Sequence, residues 1–440
     1  MQGIICLPLF FILKTLKLCY FKDKVELNKL KDKKILILGF GREGKDTFLF
    51  LRKLFPKKMI GIADAKPGLA KPSLTKGYFG KDYLKAVKDY DVIIKSPGIP
   101  FKILLKSALK KIVTQTDIFF ANCPGKIVGI TGTKGKSTTS SLIYSILKAG
   151  GFKVYLIGNI GEPVLSYMQK AGENNIFVYE LSSHQLYNLK GSPYVAVLLN
   201  IYPEHLDYYR NFKEYAASKA NITLHQSKND YFVYNSKDRN VLEIARKTKA
   251  IKIPVLGEYY DLDRNAARAV ARIFKVPEKT ISKAISKFKG LSHRLELVGQ
   301  FKGITFYNDA LATIPEATIA AVKSLGNKVE TIMLGGFDRK IDFKNLAREV
   351  LKSEIKTVIL FPTTGEKIWK DILALSQGKK TPKHFFVNNM KDAVKYAYSE
   401  TKKGKICLLS TASSSFSIFK DYKEKGDLFK KYVKRLVPKK

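Results

Sequence analysis

The stretch Gly129-Ile130-Thr131-Gly132-Thr133-Lys134-Gly135-Lys136-Ser137-Thr138-Thr139 carries the residue types that hold a polyphosphate. An apolar run, Ile127 to Ile130, precedes it and a helical pattern, Ser140 to Lys148, follows, so it sits where a strand feeds a helix N-terminus. Gly132 and Gly135 let backbone N–H groups turn toward a ligand, the helix dipole favours negative charge, and Lys136 adds a cation. Ser137 or Thr138 can offer a hydroxyl to Mg²⁺. The spacing departs from G-x-x-x-x-G-K-[ST], because Ile130 stands where the first glycine belongs. The stretch predicts ATP phosphates cradled by Gly132, Thr133, Lys134, Gly135, Lys136, Ser137 and Thr138, but names no reaction.

Other polar groups stand at the ends of apolar runs. Phe177-Val178-Tyr179 reads as a buried strand ending in Glu180, a carboxylate well placed to hold Mg²⁺ opposite a phosphate loop. Val195 to Leu199 leads into Asn200-Ile201-Tyr202-Pro203-Glu204-His205-Leu206-Asp207, and a helix is expected over Phe212 to Ala220, with Lys219 on it. On residue type alone, His205 reads as structural and Lys219 as a solvated lysine. Nearer the N-terminus, Ile35 to Leu38 runs into Gly39-Phe40-Gly41-Arg42-Glu43-Gly44, then a helical pattern from Lys45 to Phe55 and a strand from Met59 to Ala63. Asp64 ends that strand about twenty residues past the glycines, where an acid can meet a ribose; a dinucleotide site is the rival reading. A third strand, Asp91 to Ile94, enters the tight turn Lys95-Ser96-Pro97-Gly98-Ile99-Pro100.

The elements that position these residues alternate strand and helix throughout, which predicts α/β architecture. The expected division is an extension over 1–32, a Rossmann-like domain over 33–125, a central P-loop domain over 126–288 and a third Rossmann-like parallel unit over 289–440. In that last unit Leu291 to Arg294, Phe306 to Asp309, Thr331 to Gly336 and Ile406 to Leu409 read as its strands. At 440 residues, two or three domains are expected. The formal net charge of +41 comes from lysines scattered over every segment, with no Arg-rich stripe interleaved with aromatics, so a solvated surface is favoured over a nucleic-acid face. Cys6, Cys19, Cys123 and Cys407 show no metal-site spacing and read as reduced thiols of a cytoplasmic protein. Ile4 to Leu13 is too short to span a bilayer, and stable membrane insertion is not expected.

The ordered series Gly132 to Thr138, Gly158-Asn159-Ile160-Gly161, Glu180-Leu181-Ser182-Ser183, His205-Leu206-Asp207, the Lys219 helix, His293-Arg294, Asn308-Asp309 and Leu334-Gly335-Gly336 resembles the Mur ligase family. The first domain and Leu409 to Phe416 are similar to its D-glutamate-adding members. The resemblance implies ATP-dependent amide synthesis: a phosphoryl group activates the carboxylate of UDP-N-acetylmuramoyl-L-alanine, and the amine of D-glutamate attacks the acyl phosphate. It implies two Mg²⁺ ions, one held by Ser137 or Thr138 with Glu180 and one by His205 with a carbamylated Lys219, which replaces the structural readings of those two residues. Lys136, His205 and Lys219 become the catalytic set.

By the same resemblance, Phe40, Gly41, Arg42, Asp64, Ser96, Gly98, Asn159 and His205 face the UDP substrate. Arg294 and Asp309 reach the ATP phosphate and ribose, and Thr313, Lys340, Ser415, Phe416 and Tyr422 hold the D-glutamate carboxylates. A monomer with small-molecule partners and no nucleic acid is expected. Two departures stand out. Leu311 occupies the place of a lysine found in many relatives, in Asp309-Ala310-Leu311-Ala312-Thr313. After Gly257-Glu258, Tyr259-Tyr260-Asp261-Leu262-Asp263 replaces an adenine-side His-Asn-x-x-Asn motif. Three rivals are a related amide ligase with another acceptor, a nucleic-acid-binding P-loop ATPase, and a nicotinamide-dependent oxidoreductase.

Overall fold

A computed structural model describes residues 27–69, 71–159, 162–205, 208–257, 259–288, 290–339, 341–378 and 380–436. The Ile4–Leu13 run, Cys6, Cys19 and Lys340 therefore lie outside the described residues. The strands build three sheets, and the chain groups into two compact units, 1–286 and 287–440.

The first unit holds two parallel sheets. In one, β1 (Ile35–Leu38), β2 (Ile60–Asp64), β3 (Thr75–Phe79), β4 (Val92–Lys95) and β5 (Ile112–Thr114) lie in the order β3-β2-β1-β4-β5. All four residues of β1 are buried, as expected of a central parallel strand covered on both faces. Strand order reverses beside β1, so the crevice past the carboxyl ends of β1 and β4 is where a ligand belongs. The other sheet comprises β6 (Lys126–Thr131), β7 (Val154–Gly158), β8 (Ile176–Glu180), β9 (Val195–Leu198), β10 (Tyr231–Asn235) and β11 (Ile251–Val255), in the order β11-β10-β9-β6-β8-β7. Here β6 lies between β8 and β9, which brings the segments after all three to one edge.

The two sheets share one apolar cluster that runs from Leu30 to Ala250. Between them, the helix Gln115–Asn122 starts at a capping box made by Thr114 and Asp117, and its Phe119 ring packs edge-on against Phe177 and Tyr179, at 5.2 and 5.9 Å. The turn after β1 is tight because Gly44 has no side chain: a Cβ there would lie 2.0 Å from the Gly39 carbonyl oxygen. Gly44→Ala is expected to destabilise the protein by about 1–3 kcal/mol through this forced backbone shift, read as a lowered urea midpoint.

The second unit has one sheet, β12 (Glu296–Phe301), β13 (Ile304–Asn308), β14 (Val329–Gly335), β15 (Thr357–Phe361), β16 (Lys383–Phe386) and β17 (Ile406–Leu409), ordered β12-β13-β17-β14-β15-β16. It differs from the all-parallel expectation: β12 and β13 form an antiparallel hairpin, joined through Lys302 and Gly303, both with positive φ. Leu291 to Arg294 is a turn closed by a single bridge, too polar and too short to propagate a ladder. Along β14, Ile332 and Leu334 enter one apolar cluster and Met333 the other, so the sheet is covered on both faces.

Candidate active site

The β6 loop is held open by its neighbours. Gly135 caps the helix Lys136–Ala149 with φ at 86°, a conformation that favours glycine, and a Cβ there would meet Asp263 Oδ1 at 2.3 Å. That carboxylate also accepts the Thr139 hydroxyl at 2.9 Å. Asp263 is thus a buried support of the loop in the segment that replaces the adenine-side motif, where sequence reading assigned it no role. Thr133 and Lys134 donate their N–H groups to the backbone and side-chain oxygens of Asn200, both at 2.8 Å. Thr133 Oγ1 lies 2.9 Å from the Tyr215 hydroxyl, and Lys134 Nζ donates to Glu204 Oε1 at 2.8 Å. Burial opposes ionisation of Glu204, but Lys134 outweighs it and holds the carboxyl below its ordinary value. Lys136 Nζ donates to the Gly132 and Thr133 carbonyls, each at 3.0 Å. Ser137 is half-buried and Thr138 buried.

Glu180, at the end of β8, is fully buried. Its Oε1 accepts Asn159 Nδ2 at 2.8 Å, while Oε2 has no hydrogen-bond partner among the described residues. A buried carboxylate oxygen left so is costly, and a hard cation beside the phosphate loop satisfies it. Lys219 lies on the helix Phe212–Leu224 with 1% of its surface exposed, its Nζ donating to the Gly132 carbonyl at 2.9 Å and lying 4.9 Å from the Tyr215 ring centre. Burial, helped by the charges of Lys136 and Lys134, pushes its amine well below the ordinary lysine value. The expectation of a solvated lysine therefore fails. His205 has a left-handed backbone, φ 57°, and its ring meets that of His184 edge-on at 4.9 Å.

A cavity of about 190 Å³ is lined by four of the expected residues, Lys136, Asn159, His205 and Lys219, together with Ser182, Ser183, His184, Glu204 and Tyr215. Among the described residues no three His, Cys, Asp or Glu side chains converge as a metal cage. A cation here would draw on one carboxylate, a hydroxyl and phosphate oxygens, an oxygen donor set that suits Mg²⁺, with an imidazole beside it.

In the same unit, the loop after β1 is fixed by Asp64, whose Oδ2 accepts the Phe40 N–H at 2.7 Å and Oδ1 that of Lys66 at 2.8 Å. Ser96 Oγ donates to the Gly39 carbonyl at 2.9 Å, and Arg42 to that of Gly158 at 2.9 Å. The turn Ser96 to Pro100 is supported by residues that sequence reading left aside. Lys95, 1% exposed, donates to the Ser96 and Ile99 carbonyls at 2.9 and 2.8 Å, and the Tyr208 hydroxyl lies 3.0 Å from the Pro97 carbonyl. Gly41 and Gly98 have open space where a side chain would stand.

The second unit gathers its polar residues at the carboxyl ends of β13, β17 and β14. Asp309 is buried, its oxygens accepting the Ser410 hydroxyl at 2.7 Å and the Leu295 N–H at 3.1 Å. Thr313, half-buried, closes the segment after β13, and Arg294 is half-buried in its turn. After β17, Ser415 is buried with no partner for its hydroxyl among the described residues, and Phe416 is 58% exposed. Tyr422 opens the helix Tyr422–Arg435, its ring 5.8 Å from that of His293. That helix also delivers a cation missed in the sequence: Lys425, 1% exposed, donates to Thr411 Oγ1 at 2.5 Å.

Burial lowers the Lys425 amine from 10.5 to about 7, with Asp309 opposing, and raises the Asp309 carboxyl from 3.8 to about 6, with Ser410 opposing. The native state therefore binds fewer protons at Lys425 than the unfolded chain does between about pH 7 and 10, and stability rises with pH across that window. At Asp309 the native state binds more protons between about pH 4 and 6, so stability falls as pH rises there. Lys425→Met is expected to make the upper rise shallower, with the buried Lys95 and Lys219 still contributing to it, and to leave the lower fall, measured as urea midpoints at pH 5, 7 and 10.

Residues 130–314 match the Mur ligase middle domain, and 293–413 match the Mur ligase, glutamate ligase domain. The UDP-N-acetylmuramoylalanine--D-glutamate ligase of Acetivibrio thermocellus is 31% identical over 92% of this chain and 97% of its own length. The protein of the same name from Clostridium botulinum strain Langeland is 31% identical over 94% of this chain and 100% of its own. Among solved structures, MurF of Thermotoga maritima in complex with ADP aligns with a TM-score of 0.58 at 16% identity, over 94% of this chain and 97% of that one. MurC of the same organism aligns at 0.55, with 15% identity over 92% and 99%. A phosphate loop at a strand-order switch, a buried carboxylate beside it, and these similarities along nearly the whole sequence place the chain in the Mur ligase family.

Proposed function

We propose that this ligase joins D-glutamate to UDP-N-acetylmuramoyl-L-alanine at the expense of ATP, in peptidoglycan precursor synthesis. The observation that carries the reading is the cavity that brings Lys136, His205 and Lys219 together and includes Asn159, which donates to Oε1 of the buried Glu180. The names of its relatives support the acceptor. The γ-phosphoryl group passes from ATP to the alanyl carboxylate, breaking the bond to the β-phosphate oxygen and forming an acyl phosphate. The amine of D-glutamate then attacks the acyl carbon, phosphate leaves with the former carboxylate oxygen, and the amine loses a proton.

Lys136 exchanges the Gly132 and Thr133 carbonyls for phosphate oxygens. Ser137 or Thr138 with Glu180, and His205 with Lys219, are the residues that would hold Mg²⁺, which neutralises charge on the transferring group. Lys219 serves as its carbamate: its depressed amine is neutral enough to add CO₂ with release of a proton, which turns a cation into an oxygen ligand. Phe40, Gly41, Arg42, Asp64, Ser96, Gly98 and Asn159 take the UDP-sugar, Arg294 and Asp309 the nucleotide, and Thr313, Ser415, Phe416, Tyr422 and Lys340 the amino acid. The working domains are 33–125, 126–288 and 289–440, after an extension over 1–32. The protein acts as a cytoplasmic monomer without nucleic acid; among the described residues no helix is long and apolar enough to cross a membrane.

Phosphate release with ATP, Mg²⁺ and UDP-N-acetylmuramoyl-L-alanine tests this, with D-glutamate run beside L-glutamate, other amino acids and a nucleic-acid control. Release that requires both the nucleotide sugar and D-glutamate is expected. Release with another amino acid would change the acceptor, and release driven by nucleic acid alone would overturn the reading.

A further inference from the structure

Two adjacent residues at the start of the helix Arg42–Leu54, which follows β1, reach both segments that hold Glu180. Arg42 donates to the Gly158 carbonyl at 2.9 Å, and the next residue, Asn159, holds Glu180 twice: its Nδ2 donates to Oε1 at 2.8 Å and its N–H to the Glu180 carbonyl at 3.1 Å. Glu43 Oε1 accepts Gln185 Nε2 at 2.9 Å. Gln185 Oε1 in turn accepts the Ser182 N–H at 3.0 Å, completing the cap of the short helix Ser183–Leu186 that follows Glu180 and Leu181. The origin of these contacts is itself rigid. Phe40 is tied to Asp64, Gly39 to Ser96, and Gly44 packs on the Gly39 carbonyl. A shift of the Gly39–Gly41 turn therefore reaches the carboxylate along two hydrogen-bonded routes, one through Asn159 and one through Ser182. Neither Glu43 nor Gln185 lines the cavity that holds Lys136 and Lys219.

We propose that Glu43, through Gln185, is a positioning residue that ties the Gly39–Gly41 turn to Glu180, so that a nucleoside diphosphate at the first sheet and a divalent cation at Glu180 strengthen each other's binding. This rests on the assignment of those two sites under the proposed function. A guanidinium fork can serve a backbone carbonyl and a phosphate together, so a diphosphate at the turn steadies the Arg42 route as well. Because binding free energies are linked, the factor by which UDP tightens the cation equals the factor by which the cation tightens UDP.

The test uses the full chain with UDP and Mn²⁺ as probes. Mn²⁺ binding is followed by water-proton relaxation with and without saturating UDP, and UDP binding by calorimetry on the same preparations. In the wild type UDP is expected to tighten Mn²⁺ about fivefold, at the low end of measured couplings. Glu43→Gln keeps an acceptor for Gln185 and should retain that factor. Glu43→Ala should bind UDP and show a smaller factor, the Arg42 route remaining, and Gln185→Ala removes the same bond from the other side if Glu43→Ala does not fold. Equal factors in wild type and both alanine variants, or UDP binding with no effect on Mn²⁺ in the wild type, would overturn the coupling. Wild-type protein that binds no UDP would instead overturn the site assignment beneath it.

Discussion

Lys219→Ala is expected to lower kcat by about 10³-fold, the scale of losing a group that organises transition-state charge, and to recover part of the rate in millimolar formate or acetate. Lys219 Nζ occupies the underside of the phosphate loop, against the Gly132 carbonyl, and alanine leaves a gap there that a small carboxylate can enter. The fold should persist. The amine is already disfavoured as a cation by burial, so its loss removes a strained charge along with one hydrogen bond to Gly132. Thermal midpoints within a few degrees of wild type, beside the lost rate, would separate chemistry from unfolding. Full activity in the variant without added carboxylate would end the case for a carbamate at this position.

Glu180→Gln should move activity and stability in opposite directions. The carboxylate is fully buried, with one oxygen bonded to Asn159 and the other without a partner among the described residues. A neutral amide keeps an acceptor for Asn159 and removes a buried charge, so the variant is expected to gain about 1–3 kcal/mol in the absence of Mg²⁺. Its kcat is expected to fall by at least about 10²-fold, because removing a ligand affects the cation more than losing an outer partner does. Calorimetric melts with and without Mg²⁺ and ATP check both signs. Wild type should be stabilised by the pair and the variant much less. A variant that is less stable than wild type without Mg²⁺ would mean that Glu180 is a structural acid.

The parts of this reading that were legible in the sequence are those in which chemistry and backbone geometry coincide. The loop from Gly132 to Thr138 announces itself because a phosphate cradle needs glycines before a lysine and a hydroxyl at a helix start. Glu180 was legible because a carboxylate ends an otherwise apolar strand. Lys219 was not legible from residue type, since nothing local separates a lysine buried under a loop from one in water; only the ordered motif series pointed to it. Asp263, Glu204, Tyr215 and Lys425 were missed for a related reason. Each supports a loop more than sixty residues away or on another element, and partners so distant leave no periodicity to read. The antiparallel β12 was missed because Lys302-Gly303 resembles any short turn, and the direction of the following strand is settled by pairing with β17.

The shared apolar cluster that joins the first two sheets, and the separate clusters of the third, bear on how such a chain can be rebuilt by recombination. A crossover near residue 125 would cut through one interior and ask unrelated aromatic surfaces to interlock. A crossover near Ser286 leaves each of these clusters whole. Residues 1–286 are thus expected to recombine as a block, while 287–440 can be exchanged without opening either interior.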